Sequence, residues 1–155
     1  MSRFFRPGTS KVHWLTTIAS LPTPTRAEIT AGTNLTPWVA ALTGFDVDQQ
    51  LIEIPDVTTN TVIQRTGSNR IVPSAFVLYD DLETAGLRVT LAAGTTGYVV
   101  LMPYGDTATR RAEVWRVRTM LPTSGGWSTE SKAATYTVPV AVLSFPTLGA
   151  VVPAA

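Results

Sequence analysis

Cysteine is absent from this chain, and histidine occurs once, at position 13. The first absence excludes disulfides, thiolate zinc sites, iron-sulfur clusters and cysteine nucleophiles. The second excludes a histidine-based metal cluster and leaves a Ser-His-Asp triad only one imidazole to rest on. Charge is also scarce: 15% of the 155 residues are Asp, Glu, Lys or Arg and the net charge is +1, against roughly 25% charged in an average soluble domain. No bulk attraction to nucleic acid or membrane follows from such a balance. No apolar run is long enough for a membrane-spanning helix, and the basic start, Met-Ser-Arg-Phe-Phe-Arg-Pro-Gly, has no apolar run behind it. The chain is therefore expected to be cytosolic when made, and to hold its fold by packing alone.

Apolar strands are what the sequence has in abundance. Tyr98 to Tyr104 has no polar side. In Thr135 to Phe145, Tyr136, Val138, Val140 and Val142 point one way and Pro139, Ala141, Leu143 and Phe145 the other. Antiparallel strands wetted on one face alternate apolar and polar residues, and strands covered on both faces lose that alternation. The cover is expected from a second sheet of the chain, from a helix, or from another subunit. At this length a single domain is expected, with its core between about residues 12 and 145 and flexible tails outside it.

The predicted elements run as follows. Lys11–Ser20 reads as a strand stopped by Pro22 and Pro24, Arg26–Thr30 as a shorter strand, and Thr36-Pro37 as the start of a helical turn through Leu42. Leu51–Ile54 and Ile71–Tyr79 read as strands around Asp56–Arg70, which is either a long loop or a projecting hairpin. One helix is expected after Asp80-Asp81, its regular part over Gly86–Ala93, with Leu82, Leu87 and Leu91 on its buried side. Strands follow at Tyr98–Tyr104, Ala112–Leu121 and Ala134–Phe145, and Leu148–Ala155 reads as a small-residue tail. The fold class is mainly β: a sandwich or barrel with one flanking helix.

Nothing in this pattern builds a catalytic centre. His13 reads as a structural histidine within a strand. Asp46, Asp48 and Asp56 lack the glycine and glutamate spacing of a calcium loop and read as solvated turn acids. Gly94-Thr95-Thr96-Gly97 follows a helix and lacks lysine, unlike a phosphate loop. Arg110, Arg111, Arg116 and Arg118 near Trp115 suggest a nucleic-acid platform; the favoured alternative has Arg116 and Arg118 on one strand face with Val114 and Met120, pairing with acids of a neighbour. Trp38 and Trp127, in loop-like contexts, keep open a carbohydrate- or receptor-binding module. The chain is read as a non-enzyme with no cofactor and no metal. Charge is uneven: Asp46 to Glu83 holds seven acids against two arginines, a balance of −5, and the remainder carries +6. Either these are two ordinary solvated surfaces, or one acidic and one basic face suit stacking of identical subunits.

Three stretches carry a family resemblance: Ala31-Gly32-Thr33-Asn34-Leu35-Thr36 with Val39 and Leu42-Thr43-Gly44-Phe45; Leu91-Ala92-Ala93-Gly94-Thr95-Thr96-Gly97-Tyr98-Val99-Val100; and Glu113-Val114-Trp115-Arg116-Val117. In this order they resemble the major tail tube proteins of long-tailed, non-contractile bacteriophages, particularly those of actinobacterial hosts, over about Val12 to Phe145. The N-terminal third is more proline-rich than in familiar members.

The resemblance implies a virion structural protein in the tail, assembled in the host cytoplasm. Six copies would close into a ring, strands of neighbours forming one barrel, and rings would stack into a tube that conducts genomic DNA. Implied partners are further copies of the chain, a tape measure protein inside the tube, and tail terminator and tail-tip proteins; no membrane is implied. A tail terminator or head-to-tail joining protein is the rival within the class. The acids Asp46, Asp48, Glu53 and Asp56 are candidates to line the lumen, because acidic walls repel phosphate. The segment Asp56–Arg70, with Thr59, Asn60, Thr61, Gln64, Arg65, Asn69 and Arg70, is expected to be mobile in the free subunit and to dock between subunits or rings; a plain exposed loop is the alternative.

Overall fold

The computed structural model describes residues 6–21, 23–55, 58, 61–81, 86–124 and 129–155. The elements are β1 (Lys11–Leu15), α1 (Arg26–Ala31), β2 (Thr33–Asn34), β3 (Val39–Thr43), β4 (Val47–Pro55), β5 (Val62–Ile71), β6 (Ser74–Tyr79), α2 (Gly86–Thr90), β7 (Thr96–Met102), β8 (Arg111–Thr119), β9 (Thr123–Ser124), β10 (Thr135–Val142) and β11 (Thr147–Val151). The main sheet runs β2-β1-β7-β8-β10-β6-β3, with β9 on β10 and β11 on β8, and β4-β5 form a separate ladder. The sheet folds over at β8, whose outer edge is shared: Val117–Thr119 pairs with β10, Arg111–Val114 with β11. The result is a sandwich of β2-β1-β7-β8 against β10-β6-β3. Among the described residues its two far ends, the β2-β1 pair and β3, are not joined by a ladder, so the sheet is not closed into a barrel within them.

The interior of the sandwich holds Val12, Trp14, Leu35, Phe76, Val99, Trp115, Val117, Tyr136 and Val138, all buried. A second cluster lies on the outer face of β1, β7 and β8, where Leu15, Val100, Met102, Ala112 and Val114 meet Ile29 of α1 and Ala150 and Val152 of the C-terminal segment. This explains why β7 is apolar on both sides: Val99 serves the interior and Val100 and Met102 the outer cluster, so the chain itself supplies the cover. β10 differs. Tyr136, Val138 and Val140 are buried, whereas Ala141, Leu143 and Phe145 are exposed.

Several expectations are corrected. Arg26–Ala31 is a helix, not a strand. Thr25 caps it reciprocally with Glu28: the Glu28 N–H donates to Thr25 Oγ1 (3.3 Å) and the Thr25 N–H to Glu28 Oε2 (2.7 Å). The Ala19 N–H also donates to Glu28 (2.6 Å), and these backbone donors hold its carboxyl below the usual range. The described residues therefore hold two short helices instead of one. Leu35–Trp38 makes only a turn, the N–H groups of Trp38 and Val39 both donating to Leu35 O, and Val39 then opens β3. The tail reading fails at Thr147–Val151, which pairs with β8, and the core reaches Ala150 and Val152.

Leu87 and Leu91 are in the core as expected, and among the described residues the second helix spans Gly86–Thr90; Leu82 lies outside the described residues. The residues that a cap from Asp80 or Asp81 would meet, 82–85, lie outside the described ones, as does that part of the expected helix; Asp80 itself is placed. It pairs with Arg88 (2.6 Å), which lies 4.3 Å over the Tyr136 ring. The Gly94–Gly97 loop is a structural turn: the Gly94 N–H donates to Thr119 O and the buried Thr119 hydroxyl donates to Ala92 O (2.6 Å).

Two predictions follow from this packing. A Cβ at Gly97 would run into the Trp14 indole and sit 2.8 Å from Leu15 O, and Trp14 is 1% exposed and unable to yield. Gly97→Ala is expected to cost about 1–3 kcal/mol, as overpacking does, read as a lowered urea midpoint with an unchanged slope. His13 lies half-buried on the outer face of β1, its Nδ1 buried without a hydrogen-bond partner among the described residues. Burial lowers its pKa below the ordinary 6.5, partly offset by Asp106 and the Ile29 backbone, while Lys11 and Arg26 reinforce the lowering. The unfolded chain therefore binds the proton more readily, and the stability of the neutral ring is complete above pH 6.5 and lost as pH falls from there through the lower value of the folded state. Urea midpoints at pH 7.5 and 5 should fall more in the wild type than in His13→Gln.

Candidate assembly surfaces

The two-stranded sheet is a continuation of the β3-β6 pair. Thr43 faces Ala75 and, four residues further along each strand, Val47 faces Ile71, so one register passes from the sandwich into the projecting ladder. Of the two alternatives for Asp56–Arg70, a projecting hairpin is present, but its first strand is the expected Leu51–Ile54 strand extended to Val47–Pro55, and its second, Val62–Ile71, takes Ile71 from the expected Ile71–Tyr79 strand. Its root is kinked at two successive left-handed residues, Gly44 (φ 76°) and Phe45 (φ 51°). Gly44 is required there, since a Cβ would collide with Pro73 O and lie 2.8 Å from Ser74 Cα. The kink turns Phe45 into the sandwich against Phe76 (5.3 Å) and edge-on to Trp115 (5.5 Å). Across it, the Phe45 N–H donates to Ser74 Oγ (2.9 Å), Ser74 Oγ to Val72 O (2.9 Å), and the Val72 N–H to Asp46 O (3.1 Å). The broken ladder is thereby satisfied at the bend, and the aromatic anchor fixes where the arm leaves the body.

Beyond the root the arm buries almost nothing. Leu51, Ile52, Ile54, Val62 and Ile63 are 43–61% exposed, in a structure type that is marginal alone in water. Its two faces differ. Ile52 faces Arg65 and Ile54 faces Ile63, so one side carries three isoleucines around one arginine. On the other side Leu51 faces Thr66 and Glu53 faces Gln64, which donates from Nε2 to Glu53 Oε1 (3.2 Å).

The residues proposed for docking thus fall into groups. Gln64 and Arg65 sit on opposite faces of the arm; Asn69 and Arg70 lie near its root, opposite Gln49 and Asp48; Thr61 is exposed just before β5. Thr59 and Asn60 lie outside the described residues. Among the candidate lumen acids, Asp46 sits at the kink and accepts from the Val47 N–H (2.8 Å), while Asp48 and Glu53, five residues apart on β4, point to opposite faces. Asp56 lies outside the described residues. The sequence reading missed the kink and the isoleucine block. Gly44 with Pro73, and the alternation Ile52, Ile54, Ile63, were the available signals.

Two further surfaces are open. The outer face of β10-β6-β3 aligns Pro139 with Ala75 and Thr43, and Thr137 with Val77 and Ala41. Nothing among the described residues covers it as α1 covers β1, β7 and β8. Arg116 and Arg118 extend this face along β8, both exposed, with Tyr98 opposite Arg116 and Ala141 opposite Arg118. Arg110 donates to Tyr104 O (2.8 Å) and Arg111 to Leu148 O (3.4 Å), so these four arginines do not form one platform. The other surface is a cleft of about 860 Å³ between β1 and β3, lined by Val12, Val39, Leu42, Phe45, Leu101 and Glu113 among others. Trp38 packs against the core and offers no free ring; Trp127 lies outside the described residues. Among the described residues no three His, Asp or Glu side chains are grouped to hold a metal, and no helix is long and apolar enough to cross a membrane.

No curated protein matches the chain. Among solved structures, the sheath/tube terminator of the PVC extracellular contractile injection system matches with a TM-score of 0.66 at 10% identity, over 94% of this chain and 98% of that one. A chain of the anti-feeding prophage baseplate gives 0.61 at 10% identity, over 95% and 97%, and one of the PVC sheath-tube complex 0.56 at 11%, over 90% and 88%. At such identities the likeness is one of fold. The family profile described as phage tail tube protein matches residues 1–155. With a β-sandwich that resembles tube and terminator subunits, exposed apolar surfaces and a projecting arm, the chain belongs to the phage tail tube protein family and is a structural protein of the virion tail.

Proposed function

We propose that the 155 residues form one tail-tube domain whose copies close into rings, of six in the reading favoured here, and that the rings stack into the tube of a long, non-contractile tail, assembled in the host cytoplasm and conducting DNA at ejection. Its partners are further copies of itself, a tape measure protein in the lumen during assembly, and terminator and tip proteins at the ends. The observation that carries this reading is the arm: a two-stranded ladder anchored at its root, with exposed apolar residues that nothing among the described residues covers. A heterologous contact repeated from copy to copy gives rings when the rotation closes and filaments when it does not. The likeness to a sheath/tube terminator favours a second reading, a ring that ends the tube instead of extending it. Negative-stain microscopy of concentrated protein separates them: tubes support the first reading, single rings the second, and monomers alone, with or without tail-initiating proteins, count against both.

Docking of the arm is expected to protect it. Arg65 and Arg70 are exposed in the single chain, so trypsin should cut there rapidly in the monomer and at least tenfold more slowly in tubes. Equal rates would remove the arm from the contacts.

The acids of the arm region are proposed to give the lumen its sign, since a conduit works better when it does not grip phosphate. Asp48 and Glu53 point to opposite faces of the arm, so each is tested alone. Tubes of the variant whose acid lines the bore, Asp48→Lys or Glu53→Lys, should retain DNA in a salt-dependent way, with affinity falling as log salt rises; wild-type tubes should not. Identical behaviour of both variants and wild type would place these acids away from the DNA path.

A further inference from the structure

The cleft between β1 and β3 is where the sandwich fails to close. Val12, Leu101 and Glu113 stand side by side across β1, β7 and β8, all pointing inward at this open end. An inward-pointing carboxylate at the end of an apolar row costs free energy unless it is paired. Glu113 is half-buried, and its hydrogen-bond partner is the Trp115 indole N–H, which donates to Oε2 at 3.3 Å. Among the described residues no basic side chain forms an ion pair with it. The other wall is β3, which pairs only with β6 among the described residues and so leaves one backbone edge free beside the cleft. A free edge next to apolar anchors suits the addition of a strand.

The arm carries the complement. Its Ile52-Ile54-Ile63 block surrounds Arg65, a cation with no ion-pair partner among the described residues, whereas the acid on the opposite face, Glu53, already accepts from Gln64. An apolar surface with one central cation faces a cleft in which Glu113 stands among Val12, Val39, Leu42, Phe45 and Leu101, with Arg6, Lys11 and Asp46 also in the lining. The arm's own root, Gly44 to Asp46, forms part of the cleft lining, and the nine residues of β4 carry the tip roughly 30 Å away at about 3.4 Å per residue. An arm cannot fold back into its own cleft across that length without undoing its ladder. It can reach the cleft of a second copy.

We propose that the isoleucine face of the arm seats in the β1-β3 cleft of a neighbouring copy, with Arg65 reaching Glu113 and an arm strand adding to the free edge of β3. This rests on the tail-tube reading and gives it a defined contact. Every copy offers one arm and one cleft, so the contact is directional and repeats without limit until a ring closes.

The absence of cysteine gives a clean background for the test. Ile63→Cys combined with Val39→Cys, oxidised after assembly, should give a ladder of disulfide-linked oligomers on a non-reducing gel. Either change alone, or Ile63→Cys with Ala141→Cys on the open β10 face, should give no more than dimers. Microscopy of the same samples before oxidation reports assembly separately. Assembled particles with no ladder from the arm-cleft pair would overturn the proposal and leave the tail-tube reading standing, and failure of the wild type to assemble at all would sink both. Independently, Arg65→Glu and Glu113→Lys should each raise the concentration needed for assembly at least tenfold, and the double exchange should restore most of the loss. Single changes without effect, or a double variant no better than the singles, would also overturn it.

Discussion

Cover for apolar strand faces is the constraint on which the rest of this structure depends. A chain of this size makes more apolar strand surface than it has mass to bury, and it distributes the shortage unevenly. One half of the sandwich is covered twice, by the opposing sheet inside and by α1 and the C-terminal segment outside. Among the described residues the other half is covered once. What is left over is localised: the outer face of β10-β6-β3, the cleft where β1 and β3 do not meet, and the arm.

The kink at Gly44-Phe45 links these regions. Had β3 and β6 run straight on, the arm would be a loose extension of an edge pair. Turning Phe45 into the interior spends two left-handed conformations, one of them on a non-glycine residue, and gains ring contacts with Phe76 and Trp115. Strain of this kind persists where the surroundings over-determine it, and here Ser74, Val72 and Asp46 satisfy the freed backbone groups around the bend. The arm's direction is therefore set by the core of its own subunit. A directional contact needs that, because an arm free to swing would pay its ordering entropy on every docking event.

Much of the fold was legible in the sequence, for reasons that can be named. The strands at Tyr98, Ala112 and Ala134 announce themselves by β-branched density, and Leu87 and Leu91 mark a helix that does pack on the core. Arg26–Ala31 was misread because its six residues are too few to show a helical period. Its real signal was the capping box, Thr25 followed three residues later by Glu28. The C-terminal strand was hidden by small residues: Gly149 and Ala150 carry little strand preference, and only pairing with β8 gives them one. The assembly surfaces were legible in part. Apolar residues on both sides of a strand say that cover exists but not whose. For β7 the cover is internal, and for the second face of β10 the chain offers none among its described residues. That distinction is a matter of topology, fixed by where α1 and the C-terminus come to lie.

The same logic bears on why so little charge suffices. A surface destined for contact with its own copies gains from few charges, since each one buried at an interface must find a partner or pay for desolvation. The charged groups that remain near the open edges accordingly stand alone in the single chain or are satisfied locally. Glu53 is held by Gln64 and Asp46 by the backbone of Val47, so neither requires a neighbour. Glu113 and Arg65 lack ion-pair partners among the described residues; Glu113 is half-buried and Arg65 is exposed between isoleucines, and burying the two together would raise the value of pairing them. Specificity among identical copies then needs few charged pairs: in the proposed contact, apolar faces supply the adhesion and the half-buried Glu113 favours the arm that brings its cation to the right depth.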